Sequence, residues 1–211
     1  GAFGELFGDG VKTASQKIGP KSLEFAMEVG GEELPMHDAK LQPEYYTTYK
    51  LDATPGRHTQ YEGAARPAWE LPAPPQDRTQ ATERGVSHKA RSEYMHVVNS
   101  AGMCMFIMMG APNDRIPEWI NSETGWDTTL DEMKQIGERI ANLRMAFNVR
   151  EGDIVTQRRI PGRLWGAQPL EAGPHKDLQL DTRTLEQDFL AACDWDPETA
   201  APSKRKLESL G

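Results

Sequence analysis

Residues 128–147 read TTLDEMKQIGERIANLRMAF, and their reading decides the fold. Apolar residues fall at Leu130, Met133, Ile136, Ile140, Leu143 and Phe147, three to four apart, which is the repeat of one face of an α-helix. Asp127, Asp131 and Glu132 stand at its beginning, while Arg144 and Arg150 stand toward its end. That order complements the partial charges of helix termini. The spacing predicts a helix from Asp127 or Thr128 with Ile136, Ile140, Leu143 and Phe147 turned to a core.

Outward from this helix the chain stays helical, with irregular connections. Toward the N-terminus, Ser87 caps an expected helix running to about residue 109, whose end is crowded with Met103, Met105, Met108 and Met109. Residues 62–86 hold Pro67, Pro72, Pro74 and Pro75 and predict a proline-rich loop or linker. A short helix is expected from Pro43 to about Leu51, followed by a turn at Thr54-Pro55-Gly56. Phe3, Leu6, Phe7, Val11, Ala14 and Ile18 predict one amphipathic helix over 3–18. Residues 24–29 alternate polar and apolar side chains and predict the only strand element. Beyond Gly152 the expectation is a loop-rich tail, 153–211, with one helix near Thr184–Ala192. The basic run Lys204-Arg205-Lys206 reads as a solvated helix end. The fold class is thus mainly α-helical with a minor β element.

Composition narrows the function. The 211 residues carry a net charge of −8, which disfavours nucleic acid and anionic membrane as partners. The longest apolar stretch, Met103–Met109, is far shorter than the ~20 residues of a membrane-spanning helix. With no export signal and two cysteines, Cys104 and Cys193, a disulfide scaffold is not indicated, and a reducing cytoplasm is the expected compartment. On residue type alone Cys104 reads as a packed core cysteine. Were it a metal ligand, its co-ligands would lie outside this chain, because no Cys/His cluster surrounds it. His58 follows the turn at 54–57 and on position alone reads as a surface or structural loop histidine, although loops also host proton-transfer residues. His37-Asp38 is a candidate orienting pair.

Three segments carry a family resemblance. Gly137 to Gly152, preceded by Thr124-Gly125-Trp126-Asp127, is similar to a signature of the aldehyde:ferredoxin oxidoreductases. Asn99-Ser100-Ala101-Gly102-Met103-Cys104 resembles that family's pterin-loop motif, Asp-x-x-Gly-Leu-Cys. The opening residues Gly8–Lys12 and Lys17–Gly19, followed by Glu32–Asp38, resemble its helix, strand and loop there. The resemblance implies the C-terminal helical domains of such an enzyme across 1–211, as a fragment or a split subunit. The chain opening on Gly1 fits that expectation.

The implied cofactors are a tungsten or molybdenum bis-pyranopterin and a four-iron four-sulfur cluster. The implied function is oxidation of a small aldehyde to a carboxylic acid, with electrons passed to ferredoxin. By the same resemblance, Cys104 would be the fourth cluster ligand. Asn99, Gly102, Met103 and Cys104 would form the loop around one pterin, and His58 would move protons near the metal, with His37 as the alternative. Asn99 stands where the family has an acidic residue, so it keeps an acceptor oxygen and gains a donor. The implied partners are a pterin- and cluster-bearing N-terminal domain or subunit, ferredoxin, and a second copy in a homodimer. Two other functions remain open on the sequence: a related tungsten-pterin reductase of aromatic acyl-CoA thioesters, and a helical interaction module without cofactor.

Overall fold

The computed structural model describes residues 1–61, 63, 64 and 66–211, and the side chains of all of these except Pro67 and Asn113. The chain is mainly α-helical, as its apolar spacing predicts. The first elements are α1 (Ala2–Phe7), α2 (Gly10–Ile18), the strands β1 (Glu28–Val29) and β2 (Glu32–Glu33), and α3 (Glu44–Leu51). They are followed by α4 (Gly85–Ser100), α5 (Met105–Gly110), α6 (Ile116–Thr124) and α7 (Leu130–Arg150). The C-terminal part adds α8 (Gly162–Trp165), α9 (Thr182–Cys193) and α10 (Lys204–Leu210).

Several boundaries depart from expectation. The opening is two helices, interrupted at Gly8-Asp9, with Gly10 at φ +83°. The strand expected over 24–29 survives only at Glu28–Val29, since Pro20–Glu24 winds as a 3₁₀ turn. β1 pairs antiparallel with β2 across Gly30-Gly31, with Glu28 opposite Glu33. The helix expected over 87–109 is broken between Ser100 and Met105.

Within the described part of 62–86, a 3₁₀ turn over Pro67–Trp69 is followed by irregular backbone bound to α4. Ser87 Oγ and Arg91 Nε both donate to the Pro72 carbonyl, and Arg84 donates to Pro75 and Asp77 carbonyls. Glu62 and Ala65, which begin this proline-rich segment, lie outside the described residues.

The core wraps around α4, which packs on α7 on one side and α9 on another. Two glycines set those distances. A Cβ on Gly137 of α7 would stand 2.4 Å from the Glu93 carbonyl of α4. One on Gly85 would stand 2.1 Å from the Asp188 carbonyl of α9. Residues 153–211 are part of this body: Val155, Phe189, Leu190, Cys193, Trp195 and Ala200 bury with Leu51 and Met145 in one cluster.

The long helix α7 begins with a complete capping box, in which Thr129 Oγ accepts from Glu132 N and the Glu132 carboxylate accepts from Thr129 N. Its inward residues are Met133, Gly137, Asn142 and Met145. Of the stripe expected to be buried, Ile136 and Ile140 are half-buried, while Leu143 is 67% and Phe147 54% exposed. The stripe is therefore rotated from the expected direction. Close approach at Gly137 and a hydrogen bond from Trp195 Nε1 to Asn142 Oδ1 (2.8 Å) decide which side faces in. Among the described residues no helix is long and apolar enough to cross a membrane.

Candidate functional site

The segment Asn99–Cys104 is the C-terminal exit of α4. Gly102 adopts φ +70°, its N–H donates to the Asn99 carbonyl (3.2 Å), and the Met103 N–H donates to the Val98 carbonyl (3.1 Å). These two bonds and the left-handed glycine make a Schellman ending. No atom lies within 4 Å of where a Gly102 Cβ would stand, so the backbone dihedral, and not space, calls for glycine. Met103 then packs half-buried beside Val98 in the core cluster, and Cys104 follows in extended conformation as the residue that opens α5. Its thiol is exposed. Reading Cys104 as a packed core cysteine is thus corrected: the Schellman turn reverses the chain and leaves the residue outside. Cys193 is the packed one, and burial pushes its thiol well above the ordinary range.

His58 sits at the start of a 3₁₀ turn, His58–Gln60. The strand of chain leading to it is held by residues far away in sequence. Arg144 donates to Thr54 Oγ1 and lies 3.6 Å from Asp52. Asn148 Nδ2 donates to the Ala53 carbonyl (2.7 Å), and Arg158 donates to the carbonyls of Lys50, Asp52 and Ala53. Arg144 and Asn148 belong to the signature segment 137–152, so part of that signature fastens the approach to His58. From the other side Asn99 Nδ2 donates to the Thr59 carbonyl (3.2 Å) and to Gln60 Oε1 (3.0 Å). The end of α4 therefore carries the turn of His58 as well as the loop of Cys104.

His58 borders an apolar cleft of about 610 Å³ lined by Met36, His37, Tyr45, Phe106 and Met109 among others. Met105, next to Cys104, lines it too. The His37 and His58 rings meet at 4.5 Å between centroids, and His37 also meets Tyr45 at 5.2 Å. Burial first, and the neighbouring His37 second, lower the pKa of His58, which favours its neutral imidazole. The two histidines weighed as alternatives in the sequence are thus brought together. Tyr45 and the clamp residue Arg144 had no signal of their own, although Arg144 lies within the signature.

The remaining core histidines are structural. His88 is pushed by burial to about 3 and bonds Thr48 Oγ1 at 3.2 Å. His96 is held between the Ser92 carbonyl (2.7 Å) and Arg144 (2.9 Å). Among the described residues no group of three His, Cys, Asp or Glu side chains gathers as a metal site.

This helical architecture is shared with a solved structure. A chain of the active-site complex BamBC of benzoyl coenzyme A reductase, in complex with 1,5-dienoyl-CoA, superposes on 99% of the chain and 36% of its own length, with TM-score 0.65 and 19% identity. The chain belongs to the aldehyde ferredoxin oxidoreductase family: the family described as "Aldehyde ferredoxin oxidoreductase, domains 2 & 3" matches residues 1–211. A tungsten-containing aldehyde ferredoxin oxidoreductase of Pyrococcus horikoshii is 24% identical over 99% of the chain and 34% of that relative. The enzyme of the same description from Pyrococcus furiosus is 31% identical over 54% of the chain and 19% of its own length. The chain thus spans about a third of the length of the Pyrococcus horikoshii relative.

Proposed function

We propose that these residues form the helical portion of a metal-pterin, iron–sulfur oxidoreductase that oxidises aldehydes to carboxylic acids and passes the electrons to ferredoxin. The observation that carries it is the exposed Cys104 thiol, mounted on a fixed helix exit beside the His58 cleft.

The donor set fits a shared four-iron cluster. Such clusters are held by cysteine thiolates, and this chain offers one exposed thiol, its other cysteine, Cys193, being buried in the core. The other ligands and the pterin seat come from polypeptide outside these residues. When bound, the tungsten or molybdenum bis-pyranopterin supplies the two-electron oxidation. The chain's own residues do the rest. Cys104 would ligate the cluster, and Gly102 and Met103 would set the course of the loop around one pterin. Asn99, on the same exit, would belong to that loop while its amide holds the turn of His58. The apolar walls of the cleft exclude water from the substrate, and neutral His58 accepts a proton from it. The exposed Met36 (97%) and Phe106 (73%) at the rim are the surface against which the cofactor-bearing polypeptide closes.

In the complete assembly, Cys104→Ala should lower iron content and alter the paramagnetic signal of the reduced cluster, whereas Cys193→Ala should leave both unchanged. An unchanged cluster in both variants, with iron and tungsten at parent levels, would remove Cys104 from the site. The fold shared with the benzoyl coenzyme A reductase chain supports a second reading, reduction of an aromatic acyl-CoA thioester. Dye reduction that depends on an aldehyde, against reductant consumption that depends on an aromatic acyl-CoA, separates the two. Metal analysis that finds neither iron nor tungsten in the native assembly would leave only a cofactor-free helical module.

A further inference from the structure

We infer that His37 is the proton relay of His58, carrying protons from the apolar cleft to an open groove on its other side. The inference rests on the reading of His58 as the proton acceptor of the cleft.

The geometry places His37 in a dividing wall. It lines the cleft together with Met36 and Tyr45, and it also lines a separate groove of about 300 Å³ that contains Asp38 and Arg163. Its position is fixed from several directions. The Tyr49 hydroxyl donates to the His37 carbonyl at 3.0 Å, and the next residue, Asp38, accepts from Lys40 N at 2.8 Å and pairs with Lys40 Nζ at 2.9 Å. The ring itself lies between Tyr45 and His58, with centroids 5.2 and 4.5 Å away and a 39° tilt to His58. This is ring contact without a direct hydrogen bond, so one bridging water or a small ring rotation completes the transfer.

The cleft needs such an outlet. Oxidation of an aldehyde with water, RCHO + H₂O → RCOOH + 2H⁺ + 2e⁻, liberates two protons. The electrons leave through the metal-pterin group of the proposed reading, and both protons must leave through protein. Among the described residues the cleft wall offers two imidazoles and the phenols of Tyr45 and Tyr61. A phenol ionises only near pH ~10 and its neutral form does not take up a proton at neutral pH, which sets both tyrosines aside, and burial raises the pKa of Tyr61 further. The imidazoles remain. His58 takes one proton at a ring nitrogen and passes it to His37. His37 gives it to solvent beside Asp38, and both rings return to neutral before the second proton follows.

The charged groups around the pair do not duplicate this path on the cleft side. Asp38 and Arg163 stand in the groove of His37, while Glu32, Glu33 and Arg57 stand in another groove bordered by His58. Direct release past Glu32 and Glu33 is the competing route, and the experiment separates the two.

The experiment replaces His37 by Asn, and separately by Gln, in the complete assembly with metal content checked. A relay predicts a fall in kcat of about tenfold or more with KM nearly unchanged, and recovery when imidazole or another small buffer base is added. It also predicts that the His58 titration, followed by NMR of labelled histidine, moves to higher pH once its neighbour is gone. Parent-like kcat and pH profile in both variants would overturn the relay in favour of release past Glu32 and Glu33. A loss that no buffer base restores would also overturn it and leave His37 a packing residue. Should the parent oxidise no aldehyde at all, the proposed function fails, and the His58 titration alone decides whether the two rings are coupled.

Discussion

Helix α7 and the short α5 both carry rows of large apolar side chains, and the two are held differently. On α7 the buried Met133 and Met145 are joined by close or directed contacts from residues with little apolar character. Gly137 lets α4 approach, Asn142 receives Trp195, and Arg144 and Asn148 hold residues 53 and 54. Its large apolar residues Leu143 and Phe147 face outward. On α5 the inward anchor is Met108, and Phe106, Ile107 and Met109 are exposed. An apolar pattern marks burial only where something covers it. Position is specified by the close approach and the directed hydrogen bond, which have geometry that the hydrophobic effect lacks.

Three substitutions on α7 test this division. Gly137→Ala should have the largest effect. Alanine is the better helix former by ~1 kcal/mol, yet its Cβ would meet the Glu93 carbonyl at 2.4 Å and push α4 away. A loss of about 3 kcal/mol or more in urea unfolding is expected, at the upper end for overpacked cores. A neutral or stabilising result would mean that the crossing is not set by this glycine.

Arg144→Met comes next. It keeps the stem and removes the guanidinium shared by Thr54, Asp52 and His96. The expected cost is ~2 kcal/mol, in the range of hydrogen bonds to charged groups. Amide exchange should quicken in residues 52–60, and unchanged protection there would detach the signature from the His58 turn.

Phe147→Ala should have the smallest effect. The ring is 54% exposed and covered only in part by Arg150, 4.9 Å above its centre, so a cost under about 1 kcal/mol is expected. A cost of ~3–5 kcal/mol, as for a buried phenylalanine, would show that this side of α7 is covered in the protein tested.

The elements legible in the sequence were those with a repeat or a stop. α7 follows from the spacing of its apolar residues, and α3 from Pro43 at its start and the turn at Thr54-Pro55-Gly56 after it. Which side of α7 faces inward was only partly legible: Met133 lies on the expected stripe, but Met145 does not, and the close or directed contacts of Gly137, Asn142 and Arg144 carry no weight in an apolar repeat. The break between α4 and α5 was hidden because Met103, Met105, Met108 and Met109 carry the apolar pattern across it. Gly102 was its one local mark, readable as a helix end only through the bonds it closes. The basic run Lys204-Arg205-Lys206, expected as a solvated helix end, is instead the beginning of α10, where Ser203 is the start signal, its hydroxyl accepting from Lys206 N at 3.0 Å.

At the candidate site, Cys104 and His58 could be singled out one at a time, each from a resemblance. Their juxtaposition with His37 and Tyr45 could not, since the cleft joins segments from both sides of the proline-rich loop and no local pattern records that meeting.

Asn99 ties the turn of His58 to the same helix end from which the Cys104 loop departs. Two instruments bolted to one bench keep their alignment when the bench shakes. Because the Asn99 bonds join the two segments, a displacement of the end of α4 is expected to carry both with it. Electron tunnelling and proton hops are both steep functions of distance. Under the function proposed above, the end of α4 would hold the two exits in step without either having to sense the other.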